Sequence, residues 1–259
     1  SMNKIRELYK YRQMILSSIK KDLNATYRRS LLGTLWIFIN PLLQLWVYNI
    51  VFSDILEIAT ENYYIFLASA LIPWIFFSTS IVGGSRCVID AQDMVKKIYF
   101  PREVMPISYV STAFITMALS FLAVFIVLVF TKAQSNLLAL TVLPVVMLTE
   151  YMLALGITFI MSALTVYFRD MEFILGIVVM AWQFLTPVMY PREWVPEALQ
   201  PVLDLNPMTP IVDAYREIIY YQKIPSIMMI FKALGVGIIA FVIGFIIYGK
   251  MQKGFAEEL

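Results

Sequence analysis

The amino-acid sequence predicts an all-α integral membrane protein with six transmembrane helices. Of its 259 residues, 60% are hydrophobic and only 15% are charged, and the mean hydropathy is +0.76. A soluble domain is nearer half apolar and a quarter charged, so the predicted solvent of this chain is a bilayer. Six apolar stretches are each near or above the ~20 residues that a helix needs to cross a membrane. The predicted spans are residues 31–53, 63–82, 104–130, 137–168, 173–189 and 226–248.

Residues 2–29 are predicted to form a basic amphipathic helix that lies on an anionic membrane surface. Apolar side chains recur there at spacings of three, four and seven residues, and eight basic side chains fill much of the rest. This composition is typical of interfacial helices, although a solvated helix packed on a soluble partner shows the same pattern. The chain is therefore divided into an N-terminal interface helix over 2–29, a transmembrane domain over 30–251 and a tail over 252–259.

Prolines and glycines interrupt or end several predicted spans. Pro41 lies in the middle of the first span, where it removes a helical hydrogen bond and is predicted to kink the helix. Pro73 lies inside the second span, which is predicted to end at Gly83 and Gly84. The fourth span is long enough to tilt or to project beyond the bilayer, and the fifth ends at Pro187.

The distribution of basic residues predicts the orientation. If the N-terminus is inside, the inside segments hold fifteen of the twenty lysines and arginines, and the outside segments hold five. The positive-inside rule then places both termini in the cytoplasm.

A compact charged segment separates the second and third spans. Within residues 85–97, the residues Val88, Ala91 and Val95 share one helical face, and Pro101 stops the helix. The pattern predicts a short helix parallel to the membrane, on which a soluble partner could push. The alternative is an inert connecting loop.

Residues 190–225 form a proline-rich segment on the outer side that is too apolar for an ordinary solvated loop. Part of it is predicted to dip back into the membrane, where protein or a water-filled cavity must satisfy its backbone. A small cap on the outer bilayer surface fits the same pattern.

The composition excludes several classes of function. The chain has no histidine and one cysteine, Cys87, so it cannot form a Ser-His triad, a Cys/His nucleophile pair or an intrachain disulfide by itself. It has no Walker motif and no carboxylate pair with catalytic spacing, so we predict no catalytic residue and no metal site. A net charge of +2 gives no indication of nucleic-acid binding.

Six motifs follow one another along about 190 residues. They are YRRSLLGTLWIFINPLLQLWVYNIVFS at 27–53, LIPWIFFSTSI at 71–81, KKIYFPREVMPIS at 96–108, VYFRDM at 166–171, TPVMYP at 186–191 and LNPMTPIVDAYREII at 205–219. In this order they resemble the permease subunit of bacterial polysaccharide-export ABC transporters, the ABC-2 class that moves O-antigen, teichoic acid and capsule chains.

The resemblance implies an assembly. Two copies of the chain would form a homodimer with a channel between them, and two separate ATPase subunits, which hold ATP and Mg²⁺, would bind on the cytoplasmic side. Segment 85–97 would be a coupling helix in the ATPase cleft, the exit of the fourth span would lie near it, and segment 190–225 would form re-entrant gate helices. The implied ATPase-coupling residues are Ser85, Arg86, Val88, Ile89, Asp90, Asp93, Lys96, Lys97, Arg169 and Asp170.

Aromatic side chains and one carboxylate are candidates for lining the channel, because sugar rings stack on aromatic faces. Glu150 lies within a span, where a carboxylate by default marks function. It could face the channel, stay protonated in a helix contact, or lie near the outer boundary beside Lys132. The candidates are Trp36, Trp74, Phe77, Glu150, Tyr151, Trp182 and Phe184.

Two further groups involve charged residues. Arg28 and Arg29 could hold the lipid phosphate of the transported chain by bidentate hydrogen bonds, or could be ordinary membrane anchors. In the outer segment, helical spacing places Asp213 beside Arg216 and Glu217, so an Asp213–Arg216 pair could brace the gate, or all three could face water. The candidate gate residues are Pro187, Tyr190, Asp213, Arg216 and Glu217.

We therefore expect the membrane subunit of an ATP-driven exporter of a lipid-linked polysaccharide in the cytoplasmic membrane. An ABC-2 permease for a small lipid or drug is one alternative and would have a narrow apolar cleft. An ATP-independent channel or secondary transporter is another and would have no stable ATPase partner. A membrane-bound glycosyltransferase would need clustered acidic residues for a metal, and the sequence shows none that are well placed.

Overall fold

The protein is a bundle of α-helices, as predicted. The computed structural model describes residues 2–27, 33–55, 60–130 and 136–258, and no β-strand occurs within these ranges. The first seven helices are α1 (Met2–Lys10), α2 (Arg12–Tyr27), α3 (Trp36–Asn49), α4 (Tyr63–Val82), α5 (Cys87–Asp90), α6 (Gln92–Lys97) and α7 (Val104–Phe130). The others are α8 (Leu137–Leu140), α9 (Leu143–Tyr167), α10 (Met171–Phe184), α11 (Gln200–Leu205), α12 (Thr209–Ile219), α13 (Ile227–Met251) and α14 (Phe255–Glu258).

Five helical stretches in the described residues are long and apolar enough to cross a membrane. They correspond to five of the six predicted spans. The predicted fifth span, 173–189, is the exception, because α10 has only 14 residues and is shorter than the ~20 needed to cross alone. The five stretches are Trp36–Ser53, Tyr63–Lys97, Val104–Ile126, Leu137–Tyr167 and Ile227–Gly254.

The N-terminal segment is two helices rather than the one helix predicted over 2–29. A turn at Tyr11 separates α1 from α2, and the Tyr11 hydroxyl donates a hydrogen bond to the Tyr99 carbonyl oxygen at 3.4 Å. The second helix, α2, then packs along α7. Arg28 and Arg29, the candidate lipid-phosphate ligands, lie outside the described residues.

Both ends of the chain lie at the same end of the bundle. Arg102, just before α7, donates a hydrogen bond to the carbonyl oxygen of Gln252, just after α13. Glu7 from α1 and Lys253 line one cleft there. The described residues near the two termini therefore contribute to one surface of the bundle.

The closest helix contact joins α9 and α13. Gly156 of α9 lies against the backbone of Ala240 and Gly244 in α13, so that an added Cβ at either glycine would overlap the opposite main chain. At Gly237, an added Cβ would lie 2.7 Å from the Thr149 carbonyl oxygen. Small residues are how membrane helices reach such close approach, because association there depends on van der Waals packing.

We predict that Gly156→Ala destabilises the protein by about 1–3 kcal/mol, because the extra methyl group must push α9 and α13 apart. The measurement is the thermal unfolding midpoint of the detergent-purified protein. Gly235→Ala is the matched control in α13, since an added Cβ there has no heavy atom within 4 Å. Alanine favours helix over glycine, so the control should be neutral or stabilising. Equal midpoints for the two variants would contradict the close contact.

Candidate functional site

The turn from α4 into the predicted coupling segment depends on two glycines. Gly83 has right-handed helical dihedral angles, so it ends α4 without any left-handed residue. An added Cβ at Gly83 would overlap the Tyr109 hydroxyl, and one at Gly84 would lie 2.6 Å from Cγ2 of Thr158. The two glycines are therefore needed for close packing against α7 and α9, and they do not act as conformational breakers.

The coupling segment is broken in two. A 3₁₀ turn over Gly84–Arg86 leads into α5, and α6 follows after Ala91, whose dihedral angles of −99° and 12° interrupt the helix. The single helix predicted over 85–97 is therefore wrong in this detail. Helix α5 contacts α7 and α9, so the segment is held against the bundle rather than projecting freely.

The predicted coupling residues divide into a buried and an exposed set. Ser85 and Val88 are buried, and the Ser85 hydroxyl donates to the Val82 carbonyl oxygen at 2.7 Å. Ile89 is half-buried against the core. The buried members fix the segment to the bundle, and the charged members are left as an accessible surface. The exposed members are Arg86, Asp90, Asp93, Lys96, Lys97, Arg169 and Asp170.

An ion pair ties this segment to α10. The Arg86 guanidinium lies 2.7 Å from Oε2 of Glu172, in the first turn of α10, and 3.4 Å from Oδ1 of Asp90. Sequence reasoning selected Arg169 and Asp170 before α10 but missed Glu172. The available signal was a carboxylate at the start of an otherwise apolar helix.

A groove of about 480 Å³ runs between α3, α4 and α10. Trp74 forms part of its wall. Amide and hydroxyl groups line it within helices that are otherwise apolar, and sequence reasoning did not single these residues out. Their polarity inside predicted spans was the signal that could have identified them. They are Gln44, Tyr48, Ser78, Thr79 and Gln183.

Three of the other aromatic channel candidates, Phe77, Trp182 and Phe184, do not line this groove and lie in different environments. Phe77 is fully buried and packs edge to face on Trp182, with the ring centroids 5.1 Å apart. Trp182 donates from Nε1 to Oδ1 of Asn206 at 2.9 Å. Phe184 at the end of α10 is exposed. In this structure only Trp74 of the predicted set forms the groove wall.

Trp36 and Tyr151 lie apart from that groove. Trp36 lines a separate cavity of about 320 Å³ between α2, α3, α4 and α7, which shares Gln44 and Thr79 with the groove. The Tyr151 hydroxyl lies 2.8 Å from the Ser111 hydroxyl, so it joins α9 to α7.

Glu150 is fully buried in a contact between helices. The Tyr215 hydroxyl of α12 donates to Oε2 of Glu150 at 2.7 Å, and Tyr215 is also fully buried. Oε1 of Glu150 has no hydrogen-bond partner among the described residues. This geometry matches the helix-contact interpretation, and Lys132, the alternative partner, lies outside the described residues.

The side chain of Arg216, in α12, binds the residues that follow α10. Its side chain is 4% exposed, and Nη2 donates to the carbonyl oxygens of Pro187 at 2.8 Å and Val188 at 3.1 Å. The guanidinium also lies 3.8 Å from the ring centroid of Phe66 in α4, within the range of a cation–π interaction. This buried cation therefore fixes three parts of the chain to one another.

Asp213 has a different partner from the one predicted. It lies 3.5 Å from Nη1 of Arg192, and Arg192 also pairs with Asp204. The hydrogen bond to Asp204 raises the pKa of the Arg192 guanidinium. No direct Asp213–Arg216 bridge forms between these two described side chains, because the Arg216 donors reach carbonyl groups instead.

The two remaining gate candidates have other environments. Tyr190 donates to the Phe184 carbonyl oxygen at 2.7 Å, and Glu217 is half-buried.

The chain has several long apolar helices, and polar groups are buried between them. These are the features of a multi-pass integral membrane protein. Residues 13–220 match the family described as ABC-2 type transporter, and the chain belongs to that family. It is 34% identical over 257 residues to the O-antigen export system permease protein RfbA of Myxococcus xanthus, with 98% of each chain covered. It is also 29% identical over 244 residues to the protein of the same name from Klebsiella pneumoniae, with 92% of each chain covered. The family resemblance inferred from the six motifs is thus confirmed.

We predict that Tyr215→Phe and Glu150→Leu each destabilise the protein by about 1–3 kcal/mol, because each leaves a buried polar partner without its hydrogen bond. The double variant should cost less than the sum of the two, since it removes both polar groups. Thermal unfolding of the four proteins in detergent measures this coupling. Tyr190→Phe is the control for loss of a less buried tyrosine hydroxyl. Strictly additive losses would show that the two residues do not interact.

Proposed function

We propose that this chain is the channel-forming permease subunit of an ATP-driven exporter that moves a lipid-linked polysaccharide across the cytoplasmic membrane. The observation that carries this proposal is the polar groove between α3, α4 and α10. The names of the relatives, which are O-antigen export permeases, support a polysaccharide as the transported substrate.

The groove has the chemistry that a sugar polymer needs. Gln44 and Gln183 offer amide donors and acceptors, and Ser78 and Thr79 offer hydroxyls, whereas Trp74 in the wall is only 3% exposed. Lipid tails cannot satisfy such groups, so a groove of this kind in a spanning bundle favours an aqueous path. A small apolar substrate would instead favour a narrow cleft without amides.

The groove is one wall of a path, and a second copy of the chain supplies the other. The apolar side chains of α10 lie largely outside the bundle, with Phe173 72% exposed and Ile177 and Met180 also exposed. Helix α3 likewise buries only Ile37 and Leu45. These two weakly packed helices flank the groove, so pairing of two copies along them encloses it as a channel in a homodimer.

Two ATPase subunits, which hold ATP and Mg²⁺, drive the transport from the cytoplasmic side. The exposed charges of segment 85–97 form their docking surface, and Arg169 and Asp170 lie at the neighbouring turn before α10. The excess of basic residues in the corresponding sequence segments supports a cytoplasmic location for this end and for both termini.

The remaining candidates have roles at the two ends of the path. Arg28 and Arg29 contact the lipid phosphate of the substrate where the chain enters its first span. At the other end, the segment 190–225 with α12 forms a re-entrant gate. Arg216, the Glu150–Tyr215 contact and the Arg192 ion pairs hold the gate closed.

Native mass spectrometry of the chain coexpressed with an ABC ATPase tests the assembly. We expect a complex of two copies of each subunit. A monomer or a dimer without ATPase, under conditions in which a control ABC transporter stays intact, would indicate an ATP-independent channel. Reconstitution of the complex in vesicles with lipid-linked polysaccharide then tests the substrate, because an exporter of small lipids or drugs would not move the polymer.

We predict that Arg86→Glu lowers the amount of polysaccharide transported per ATP hydrolysed several-fold, because it breaks the tie between the coupling segment and α10. Glu172→Arg should do the same, and the double reversal should restore transport. An exposed ion pair contributes little to stability, so the unfolding midpoints should hardly change. Glu197→Arg, an exposed carboxylate in the outer segment, is the control. Failure of the double reversal to rescue either single variant would contradict this role of the pair.

A further inference from the structure

A cleft of about 660 Å³ lies at the end of the bundle that holds both chain termini. It is formed by α1, the segment from the end of α6 to the start of α7, and the last turn of α13 with the residues after it. Two acidic side chains, Glu7 and Glu103, contribute to the lining. Four basic side chains also line it, so positive charge predominates. They are Lys96, Lys97, Arg102 and Lys253.

Four basic side chains face two acidic ones in the lining, so the formal charge of the cleft is positive. Glu103 is only 3% exposed and accepts a hydrogen bond from Nε2 of Gln252 at 2.7 Å, so it is engaged inside the protein. Lys97 and Lys253 are exposed and have no ion-pair partner in the described part of the chain. Their ammonium groups are therefore available to an anion that enters the cleft.

Arg102 is held in position at the base of the cleft. Its guanidinium donates to the Gln252 carbonyl oxygen and lies 5.7 Å from the ring centroid of Phe255. The Tyr248 hydroxyl donates to the Arg102 carbonyl oxygen at 2.9 Å, which fixes the main chain as well. A guanidinium has five N–H donors, so this contact leaves others for a ligand. A positioned arginine together with exposed lysines in the same cleft suits a phosphate group.

Apolar surface beside the cleft indicates that the phosphate belongs to a lipid. Ile98 and Tyr99, in the wall of the cleft, are 60% and 83% exposed. Ile243 and Ile246 of α13 are also exposed and lead along the helix surface towards Lys253. Exposed tyrosine is typical of the membrane–water interface, and basic pockets at the ends of spanning helices bind anionic headgroups.

We propose that this cleft binds the phosphate-containing headgroup of an anionic phospholipid, with the acyl chains lying along α13. The bound lipid joins the N-terminal helix, the segment after the coupling helix and the end of α13. It thereby sets the position of the coupling segment relative to the membrane. The site is separate from the transport groove and does not depend on the transported substrate.

The test is native mass spectrometry of the full chain, purified in detergent without any ATPase and titrated with phosphatidylglycerol or phosphatidylethanolamine. We expect retention of phosphatidylglycerol in preference to the zwitterionic lipid. The Lys97→Gln/Lys253→Gln double variant should bind phosphatidylglycerol about 10- to 30-fold more weakly, because each basic side chain near a membrane surface adds about 1 kcal/mol of attraction. Both lysines are exposed, so an unchanged unfolding midpoint should verify the fold.

The matched control is Lys223→Gln/Lys232→Gln, which removes two exposed lysines near the opposite end of α13. Equal loss in the control, or no loss in the cleft variant, would overturn the proposal. Displacement of the lipid by low-millimolar inorganic phosphate would show a site for free phosphate rather than for a lipid. If the cleft variant keeps its phosphatidylglycerol binding here but loses binding to a coexpressed ABC ATPase in a separate experiment, the surface is a protein interface and the lipid proposal fails. None of these results depends on whether the chain exports polysaccharide.

Discussion

The close packing of α9 against α13 is the constraint on which the rest of the structure depends. The two backbones meet at Gly156 and Gly244, so α9 has almost no freedom to slide or rotate against its neighbour. Other contacts then use α9 as a fixed support. Thr158 packs on Gly84 at the turn into the coupling segment and donates to the Ser80 carbonyl oxygen at 2.9 Å.

The same helix also supports the opposite end of the path. Glu150 lies eight residues before Thr158, which corresponds to about 12 Å along a helix, and it accepts the hydrogen bond from Tyr215 of α12. One rigid element therefore contacts both segment 85–97 and α12. A displacement of segment 85–97 relative to α9 must consequently be taken up by elements that are less tightly held.

The sequence predicts the long spans well, because the thickness of a bilayer sets a minimum length of apolar helix that composition alone reveals. It predicts the partners of buried polar groups poorly. Asp213 and Arg216 have ideal helical spacing for an ion pair, yet Arg216 reaches the carbonyls of Pro187 and Val188, and Asp213 faces Arg192. Those partners lie more than twenty residues away, and only the tertiary fold brings them into reach.

The candidate site shows the same division. The charges of segment 85–97 can be recognised in the sequence because they interrupt apolar surroundings. Its break at Ala91 is seen only in the structure, where α5 packs on α7 and α9. Glu172 and the groove glutamines Gln44 and Gln183 were missed for a related reason. Each lies in a largely apolar helix, and its role depends on which face of that helix it occupies.

Helix α10 is the element best suited to transmit a displacement to the groove. It is shorter than the five stretches that are long enough to cross a membrane and buries only Leu175 and Val179, so few packing contacts hold it in place. Its first turn is tied to the coupling segment through Glu172 and Arg86, and its last turn carries Gln183 into the groove. Because α9 is held against α13, the Arg86–Glu172 ion pair gives segment 85–97 a direct contact with α10. This contact links the proposed coupling segment to the groove.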